Sequence, residues 1–167
     1  IATSFAEGSG LRDQDRHKIL FTGNPVRQAV KAVRELEYPA LHEDAMLRIL
    51  ITGGSQGAAV FGEVLPEALA ELPPEVRKRI RIDQQCRAEN IDKVRARYDE
   101  LGVSADLATF FNDIPSRLAS CHLVIARSGA STLAELAVAK LAPISTEMAR
   151  LMADTTEIDR ILANEDR

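Results

Sequence analysis

Residues 47–72 read LRILIT-GGSQG-AAVFGEVLPEALAEL and form the clearest structural unit of the sequence. The apolar run 47–52 predicts a buried strand, and the small and polar residues 53–57 predict a tight loop. From Ala58 onward the apolar residues recur at helical spacing, which predicts a helix. A strand that passes through a glycine-rich turn into a helix is the first half of a βαβ unit, so this stretch indicates the fold class.

The same alternation of strand and helix continues on both sides of this unit. Further strands are expected at 1–5, 19–21, 80–85, 105–110 and 122–126. Further helices are expected at 26–36, 88–101, 114–120 and 132–140. Such alternation implies right-handed crossovers and a parallel sheet with helices on both faces, whose ligands lie beyond the carboxyl ends of the strands. The sequence therefore predicts an α/β fold.

The pattern changes after Lys140. Another strand is expected there, but residues 141–144 are too few for a strand and its loop, and a helical stretch follows at once from 146 to 153. A capping box at 154–157 then begins a last helix. We therefore predict that a stretch of a few tens of residues, by analogy one or two βα units, is missing after about residue 140.

Charge and composition exclude several classes of protein. The 21 Lys and Arg residues against 25 Asp and Glu give a net charge of -4, and the basic cluster 77–81 fits a solvated strand edge, so no nucleic-acid partner is expected. No apolar stretch approaches the roughly 18 residues of a membrane span, and no charged-then-apolar leader opens the sequence. The cysteines lie far apart and the histidines form no ligand-spaced cluster, so neither disulfide, metal nor cofactor is expected. The composition is typical of an intracellular, soluble α/β domain.

The loop 53–57 has three interpretations. Its glycines can bring backbone amides and a helix N-terminus to a phosphate, to which Ser55 adds a hydroxyl donor. It can also be a merely structural turn. The same residues satisfy G-x-S-x-G, which would make Ser55 the nucleophile of a serine hydrolase with Asp113 and His122. Against the hydrolase, His122 opens an apolar run that predicts a strand, whereas a triad histidine belongs on a late loop.

A second small-residue loop, 126–132, also joins a strand to a helix. Two helix N-termini would then open on one edge of the sheet, an arrangement that suits a diphosphate. Glu135, one turn into the second helix, is either the partner of Thr132 in a capping box or a carboxylate that accepts both hydroxyls of a ribose. The segment 110–114 can form an apolar wall with backbone amides for a base, or an ordinary strand end with Asn112 or Asp113 as the N-cap.

Four motifs taken together resemble those of a known family: TGNPVR at 22–27, GGSQGA at 53–58, FFNDI at 110–114 and RSGASTLAEL at 127–136. In this order they are similar to the bacterial undecaprenyldiphospho-muramoylpentapeptide β-N-acetylglucosaminyltransferases, over about residues 1–140. The resemblance implies a GT-B glycosyltransferase, in which two Rossmann-like domains face each other across a cleft. Residues 1–22 would be a remnant of the acceptor domain and linker, and 23–167 the UDP-sugar-binding Rossmann-like domain.

The resemblance also implies the activity: an inverting transfer of N-acetylglucosamine from UDP-N-acetylglucosamine to a lipid-linked muramoylpentapeptide, without a metal, at the inner face of the plasma membrane. It implies substrate-binding roles for eight residues. These are Arg27 at the donor side of the cleft, Gly54, Ser55 and Gln56 near the diphosphate or sugar, Phe111 at the uracil, Gly129 and Ala130 as backbone donors, and Glu135 on the ribose.

Two departures from the family pattern limit what the chain is expected to do. The acceptor domain, where the family places its candidate base and its membrane-facing patch, is absent apart from the remnant. The Asp-Gln-x-x-Asn-Ala type of segment that should follow the Glu135 helix and hold the sugar is absent as well. The chain alone is therefore expected to be inactive. A serine hydrolase and a non-catalytic nucleotide-binding module remain as alternatives.

Overall fold

The computed structural model describes residues 1–4, 12–40, 42, 45–53, 59–139, 141 and 143–145. It contains seven strands, all of them short. They are β1 (Ala2–Thr3), β2 (Leu20–Phe21), β3 (Leu47–Thr52), β4 (Ile80–Gln85), β5 (Ser104–Ala108), β6 (Leu123–Ala126) and β7 (Pro143–Ser145).

Six α-helices connect or flank the strands in the part of the chain that the structure describes. They are α1 (Gln28–Val33), α2 (Ala59–Ala70), α3 (Pro74–Arg77), α4 (Ile91–Glu100), α5 (Ile114–Ser120) and α6 (Ala130–Val138). Short 3-10 turns lie at Asp13–Lys18 and Ala88–Asn90. Within the described residues, no helix is both long enough and apolar enough to cross a bilayer.

Five strands form one parallel sheet in the order β5-β4-β3-β6-β7, while β1 and β2 form a separate parallel pair. From β3 the chain moves outward through β4 to β5, and then returns to place β6 on the other side of β3. The strand order therefore reverses between β3 and β6. In open parallel sheets, this reversal leaves a crevice at the carboxyl ends of the two strands, where ligands bind.

Helices cover both faces of this sheet. On one face, Ile49 and Ile51 of β3 pack with residues of α2 and α4, including Phe61 and Tyr98. On the other face, Leu50 packs with residues of α1, α5 and α6. The alternation follows from the two-residue period of a strand, which points neighbouring side chains to opposite faces. The predicted α/β class, a Rossmann-like parallel sheet with helices on both faces, is confirmed.

Several boundaries differ from those predicted. The helix expected at 132–140 is α6, and it begins two residues earlier, at Ala130, with Gly129 at the N-cap position. The helix expected at 26–36 is limited to Gln28–Val33. The strand expected at 105–110 ends at Ala108. Each difference lies at an element end, where local propensity is weakest against tertiary contacts.

The expectation that no strand fits directly after Lys140 is wrong. Strand β7 occupies Pro143–Ser145 and pairs in parallel with β6. An edge strand needs a partner on one side only, and Pro143 is tolerated because it is the first residue of the strand. The missing stretch itself stays a prediction, and the helices expected at 146–162 lie outside the described residues.

Candidate functional site

A cleft of about 230 Å³ lies beside the point where the strand order reverses. It is lined by residues of strands β3, β4 and β6, of the segment after β5 and of helices α5 and α6, together with Arg27 directly before α1. The lining residues are Arg27, Leu50, Thr52, Gln85, Phe110, Phe111, Ile114, Leu118, Val124, Thr132, Glu135 and Leu136. The cleft is therefore apolar at its base, with a few polar groups at its rim, as is usual for a small-molecule site.

Glu135 and Arg27 meet at one wall of this cleft. The Nε and NH2 atoms of Arg27 donate hydrogen bonds to the two carboxylate oxygens of Glu135 at 2.8 and 3.0 Å. The hydrogen bond to Glu135 raises the pKa of Arg27, since it favours the charged guanidinium. The Glu135 side chain is only 20% exposed, whereas that of Arg27 is 53% exposed. The carboxylate is thus held in place from the solvent side.

The capping-box interpretation of Glu135 is wrong. A capping box needs Thr132 at the N-cap, but Gly129 occupies that position and Thr132 lies inside the first turn of α6. The Glu135 carboxylate binds Arg27 instead of a backbone amide at the helix start. Glycine is accepted at an N-cap, so α6 can begin earlier than the threonine suggests.

The N-terminus of α6 opens beside Glu135. The first amides of a helix have no partner within the helix, and no side chain caps this one at Gly129. Gly129 donates its own amide to the carbonyl of Arg127 at 2.8 Å, so this donor is already used. Ala130 is the first residue of the helix, so its backbone amide is one of those without a partner inside the helix. Of the two backbone donors that the resemblance implied, Ala130 has the better geometry for binding an anion.

Two consecutive phenylalanines, Phe110 and Phe111, also line the cleft. Phe111 is 5% exposed, whereas Phe110 is 63% exposed. The guanidinium carbon of Arg117 lies 3.8 Å from the centre of the Phe111 ring, a cation–π contact. One face of Phe111 is therefore covered, and Phe110 is the more accessible aromatic surface.

Three aspartates hold Arg117 under Phe111. Its side-chain nitrogens lie 3.2 Å from Asp83, 2.8 Å from Asp106 and 2.9 Å from Asp113. Asp113 occupies the N-cap position of α5, as one interpretation predicted, but its side chain makes no capping bond. The hydrogen bond from Arg117 lowers the pKa of Asp113. This network holds Arg117 against Phe111 and so fixes the segment that carries this ring.

Polar side chains also connect the ends of three strands. The hydroxyl of Thr52, at the end of β3, donates to Oε1 of Gln85 at 3.0 Å. Nε2 of Gln85 donates to the carbonyl of Thr109 at 3.0 Å. Thr52, Gln85 and Arg117 were not predicted from the sequence, whereas Phe110 was predicted only as part of the apolar segment 110–114. The one available signal was that Thr52 and Gln85 are polar residues at the carboxyl ends of predicted strands.

The two described members of the Ser-His-Asp triad considered above, His122 and Asp113, both have other partners. His122 lies at the amino end of β6, where its Nδ1 accepts a hydrogen bond from the backbone amide of Arg48 at 3.0 Å. Thr52, the last residue of β3, lies at the opposite end of that strand from Arg48, about 13 Å away at the rise of an extended strand. Asp113 is paired with Arg117. The placement of His122 and Asp113 therefore disfavours the hydrolase alternative, whose nucleophile Ser55 lies outside the described residues.

The remaining predicted residues fall in two groups. Gly54, Ser55 and Gln56 lie outside the described residues, although Gly53, which leads into their loop, follows β3 at the carboxyl edge. Among the described residues, no group of His, Cys, Asp and Glu is arranged to hold a metal ion. Both cysteines are buried and free. Arg27, Phe111 and Glu135, by contrast, all line the same cleft.

Comparison with known proteins gives a consistent result. The family model described as glycosyltransferase family 28 C-terminal domain matches residues 48–145. The UDP-N-acetylglucosamine–N-acetylmuramyl-(pentapeptide) pyrophosphoryl-undecaprenol N-acetylglucosamine transferase of Rhodospirillum centenum is 55% identical over 139 residues, which is 83% of this chain and 37% of the relative. The transferase of the same name from Zymomonas mobilis is 49% identical, over 83% of this chain and 36% of its own.

A solved structure is similar as well. The crystal structure of Acinetobacter baumannii MurG matches with a TM-score of 0.51 and 33% sequence identity, over 59% of this chain and 29% of that one. The chain spans little more than a third of the length of the curated relatives it matches.

Proposed function

The chain belongs to the glycosyltransferase family 28 C-terminal domain family, and from this premise we propose that it is the donor-binding half of a GT-B N-acetylglucosaminyltransferase of peptidoglycan synthesis. Its ligand is UDP-N-acetylglucosamine. The acceptor, a lipid-linked muramoylpentapeptide, is bound by the other domain of the whole enzyme, which also supplies the contact with the inner face of the plasma membrane. Residues 23–167 form the donor domain, and 1–22 are the remnant of the acceptor domain and linker.

One observation carries the proposal: a partly buried carboxylate, a free helix N-terminus and an aromatic wall surround one cleft at the reversal of the strand order. These are the groups that a nucleoside diphosphate needs. Glu135 can accept hydrogen bonds from both ribose hydroxyls, and the first turn of α6 faces the phosphates. Phe110 and Phe111 bound the place of the base.

The reaction proposed for the whole enzyme is an inverting displacement. A hydroxyl of the acceptor attacks the anomeric carbon of N-acetylglucosamine, a bond to that oxygen forms, and the bond to the UDP oxygen breaks with its electron pair leaving on UDP. The positive ends of helix dipoles and backbone amides stabilise the charge that grows on the diphosphate. In this chain α6 supplies one such end, and the loop 53–57 is proposed to supply the second. The base that takes the acceptor proton belongs to the other domain.

Titration of the purified chain with UDP, UDP-N-acetylglucosamine and uridine tests donor binding. We expect both diphosphates to bind more tightly than uridine, because only they reach the helix N-termini. A folded chain that binds neither diphosphate would reject the proposal. A fluorophosphonate probe should leave Ser55 unlabelled, and covalent labelling there would support the hydrolase instead.

Transfer activity separates a donor domain from a non-catalytic binding module. In a chimaera, residues 23–139 of this chain replace the matching segment of the Rhodospirillum centenum relative. We expect the chimaera to transfer N-acetylglucosamine to the lipid acceptor. If a folded chimaera binds UDP but transfers no N-acetylglucosamine, the result would support a non-catalytic nucleotide-binding module instead.

A further inference from the structure

Gln85 connects the end of β3 with the residue that follows β5, at the cleft. It is the last residue of β4 and is 7% exposed. Its Oε1 accepts the hydroxyl proton of Thr52, the last residue of β3, and its Nε2 donates to the carbonyl of Thr109, directly after β5. Thr52 leads into the loop 53–57, and Thr109 leads into Phe110 and Phe111. One side chain thus touches the residue before each of these segments.

The orientation of the Gln85 amide is determined by its partners. The carbonyl oxygen of Thr109 can only accept a hydrogen bond, so the NH2 group of Gln85 must face it. The amide oxygen then faces Thr52, whose hydroxyl can donate. A glutamate of the same shape would keep the bond from Thr52 but would set a carboxylate oxygen against the Thr109 carbonyl.

These two bonds continue the sheet past the end of its backbone pairing. The last backbone hydrogen bond between the β4 and β5 segments runs from the Cys86 amide to the Ala108 carbonyl at 2.9 Å. The next carbonyl, that of Thr109, is bound by the Gln85 side chain instead. On the other side, Ile51 pairs with Gln84, which places Thr52 beside Gln85. The side chain therefore fixes where the segment after β5 leaves the sheet.

We propose that Gln85 is a positioning residue that holds Phe110 and Phe111 in register with the end of β3, and so determines selectivity for the base of the bound nucleoside diphosphate. This inference rests on the proposed function. Gln85 and Thr52 line the cleft together with both phenylalanines, so the bonds lie beneath the ligand. If Gln85 no longer binds the Thr109 carbonyl, the backbone amides and rings of Phe110 and Phe111 move away from the edge of the base. The diphosphate still binds at the N-terminus of α6.

The neighbouring Gln84 provides a matched control. Its side chain points to the opposite face of the sheet, is fully buried, and accepts a hydrogen bond from the Tyr98 hydroxyl at 2.6 Å. Gln84→Leu and Gln85→Leu remove the same group from adjacent positions. The first leaves the buried Tyr98 hydroxyl without its partner, and the second does so for the half-buried Thr52 hydroxyl and for the Thr109 carbonyl. Both are expected to lower the free energy of unfolding. Only the change at Gln85 is expected to alter the cleft.

The experiment measures the affinities of the 167-residue chain for UDP and CDP, and takes their ratio as the selectivity. We expect the unmodified chain to prefer UDP. In Gln85→Leu and Gln85→Glu this preference should fall by about fivefold or more, the effect of one lost hydrogen bond in positioning. In Gln84→Leu it should be unchanged. An unchanged ratio in both Gln85 variants, an equal fall in Gln84→Leu, or no preference in the unmodified chain would overturn the inference.

Amide hydrogen exchange without ligand provides a second measurement. Exchange at residues 110–113 should be faster in both Gln85 variants than in Gln84→Leu at the same stability, and equal rates would contradict the positioning role.

The proposed function and the positioning role of Gln85 would fail in different ways. If the unmodified chain binds no UDP, the proposed function fails and the selectivity claim fails with it. If the unmodified chain prefers UDP and the Gln85 variants keep that preference, the positioning role fails alone.

Discussion

Arg27 and Glu135 lie 108 residues apart in the chain, and the guanidinium of the first binds both carboxylate oxygens of the second. Because Arg27 is about half exposed, the ion pair contributes little to stability, about 0–1 kcal/mol. Its effect is on geometry: a carboxylate bound at two points has one orientation. Since that carboxylate lines the cleft, the pair prepares a hydrogen-bond acceptor at the place proposed for the ribose.

Replacement of Glu135 tests the ribose role. In Glu135→Gln the charged acceptor becomes a neutral amide, so UDP binding should weaken by roughly 1 to 3 kcal/mol, measured by calorimetric titration. Glu67→Gln is the control, because Glu67 also forms a two-point pair, with Arg97, and is far more exposed than Glu135. Equal binding of UDP and its 2′,3′-dideoxy analogue by the unmodified chain would show that the carboxylate does not bind the ribose.

Replacement of Arg27 tests the positioning of that carboxylate. Arg27→Lys keeps the positive charge but cannot bind both oxygens in one plane. We expect UDP affinity to fall by about threefold to tenfold, less than in Glu135→Gln, since the carboxylate remains but is free to turn. An affinity equal to that of the unmodified chain would mean that Glu135 needs no partner.

The diphosphate loop is tested at Gly54 and Ser55. Gly54→Val should weaken UDP binding at least tenfold, about 1.4 kcal/mol, because a β-branched side chain blocks close approach of the backbone to the phosphates. Ser55→Ala should cost less, about 0.5 to 1.5 kcal/mol, since the backbone donors remain. Circular dichroism and thermal unfolding check that both variants are folded. A folded Gly54 variant with unchanged UDP affinity would exclude the loop from the site.

Sequence patterns predicted some elements of this fold at their observed bounds, but they did not predict several contacts at the site. The apolar periodicity of Ile80–Gln85 and Ile114–Ser120 predicted both elements at their observed bounds. The Ser and Thr preference at helix starts placed the beginning of α6 at Thr132, because a glycine N-cap leaves no such signal. The contact of Arg27 with Glu135 had no local signal either, since it depends on how α1 and α6 pack. The Thr109 carbonyl bound by Gln85 is backbone, which no residue type reveals.

The decrease in the free energy of unfolding at acidic pH should depend on Asp113. Arg117 lowers the pKa of this aspartate in the folded chain, so the ionised form stabilises the fold. That contribution is fully present above the unfolded pKa, about 3.9, and is lost as pH falls through the lower folded value. Urea unfolding from pH 7 to pH 2.5 should therefore show a shallower loss of stability in Asp113→Asn than in the unmodified chain. If the unmodified chain and Asp113→Asn lose stability equally as pH falls, the ion pair between Asp113 and Arg117 does not contribute to stability in solution.

The last prediction concerns the sugar. In the family that the four motifs resemble, a segment after the Glu135 helix holds the sugar hydroxyls. In this sequence only a few residues separate α6 from β7, and β7 pairs directly with β6. The described cleft contains the groups that we propose bind a base, a ribose and a diphosphate. We predict that the sugar-binding stretch is missing after about residue 140. UDP and UDP-N-acetylglucosamine should then bind the chain with affinities within about threefold of each other, or 0.7 kcal/mol.

Competition among UDP-N-acetylglucosamine, UDP-glucose and UDP for the purified chain measures this discrimination directly. A preference of more than about tenfold for UDP-N-acetylglucosamine over UDP would contradict the missing stretch, because groups that select the sugar would have to be present. Insertion of the corresponding segment of the Rhodospirillum centenum relative after Ala139 is the positive control. Since that segment would add hydrogen bonds to the sugar hydroxyls without touching the base or ribose, it should raise affinity for UDP-N-acetylglucosamine and leave affinity for UDP unchanged.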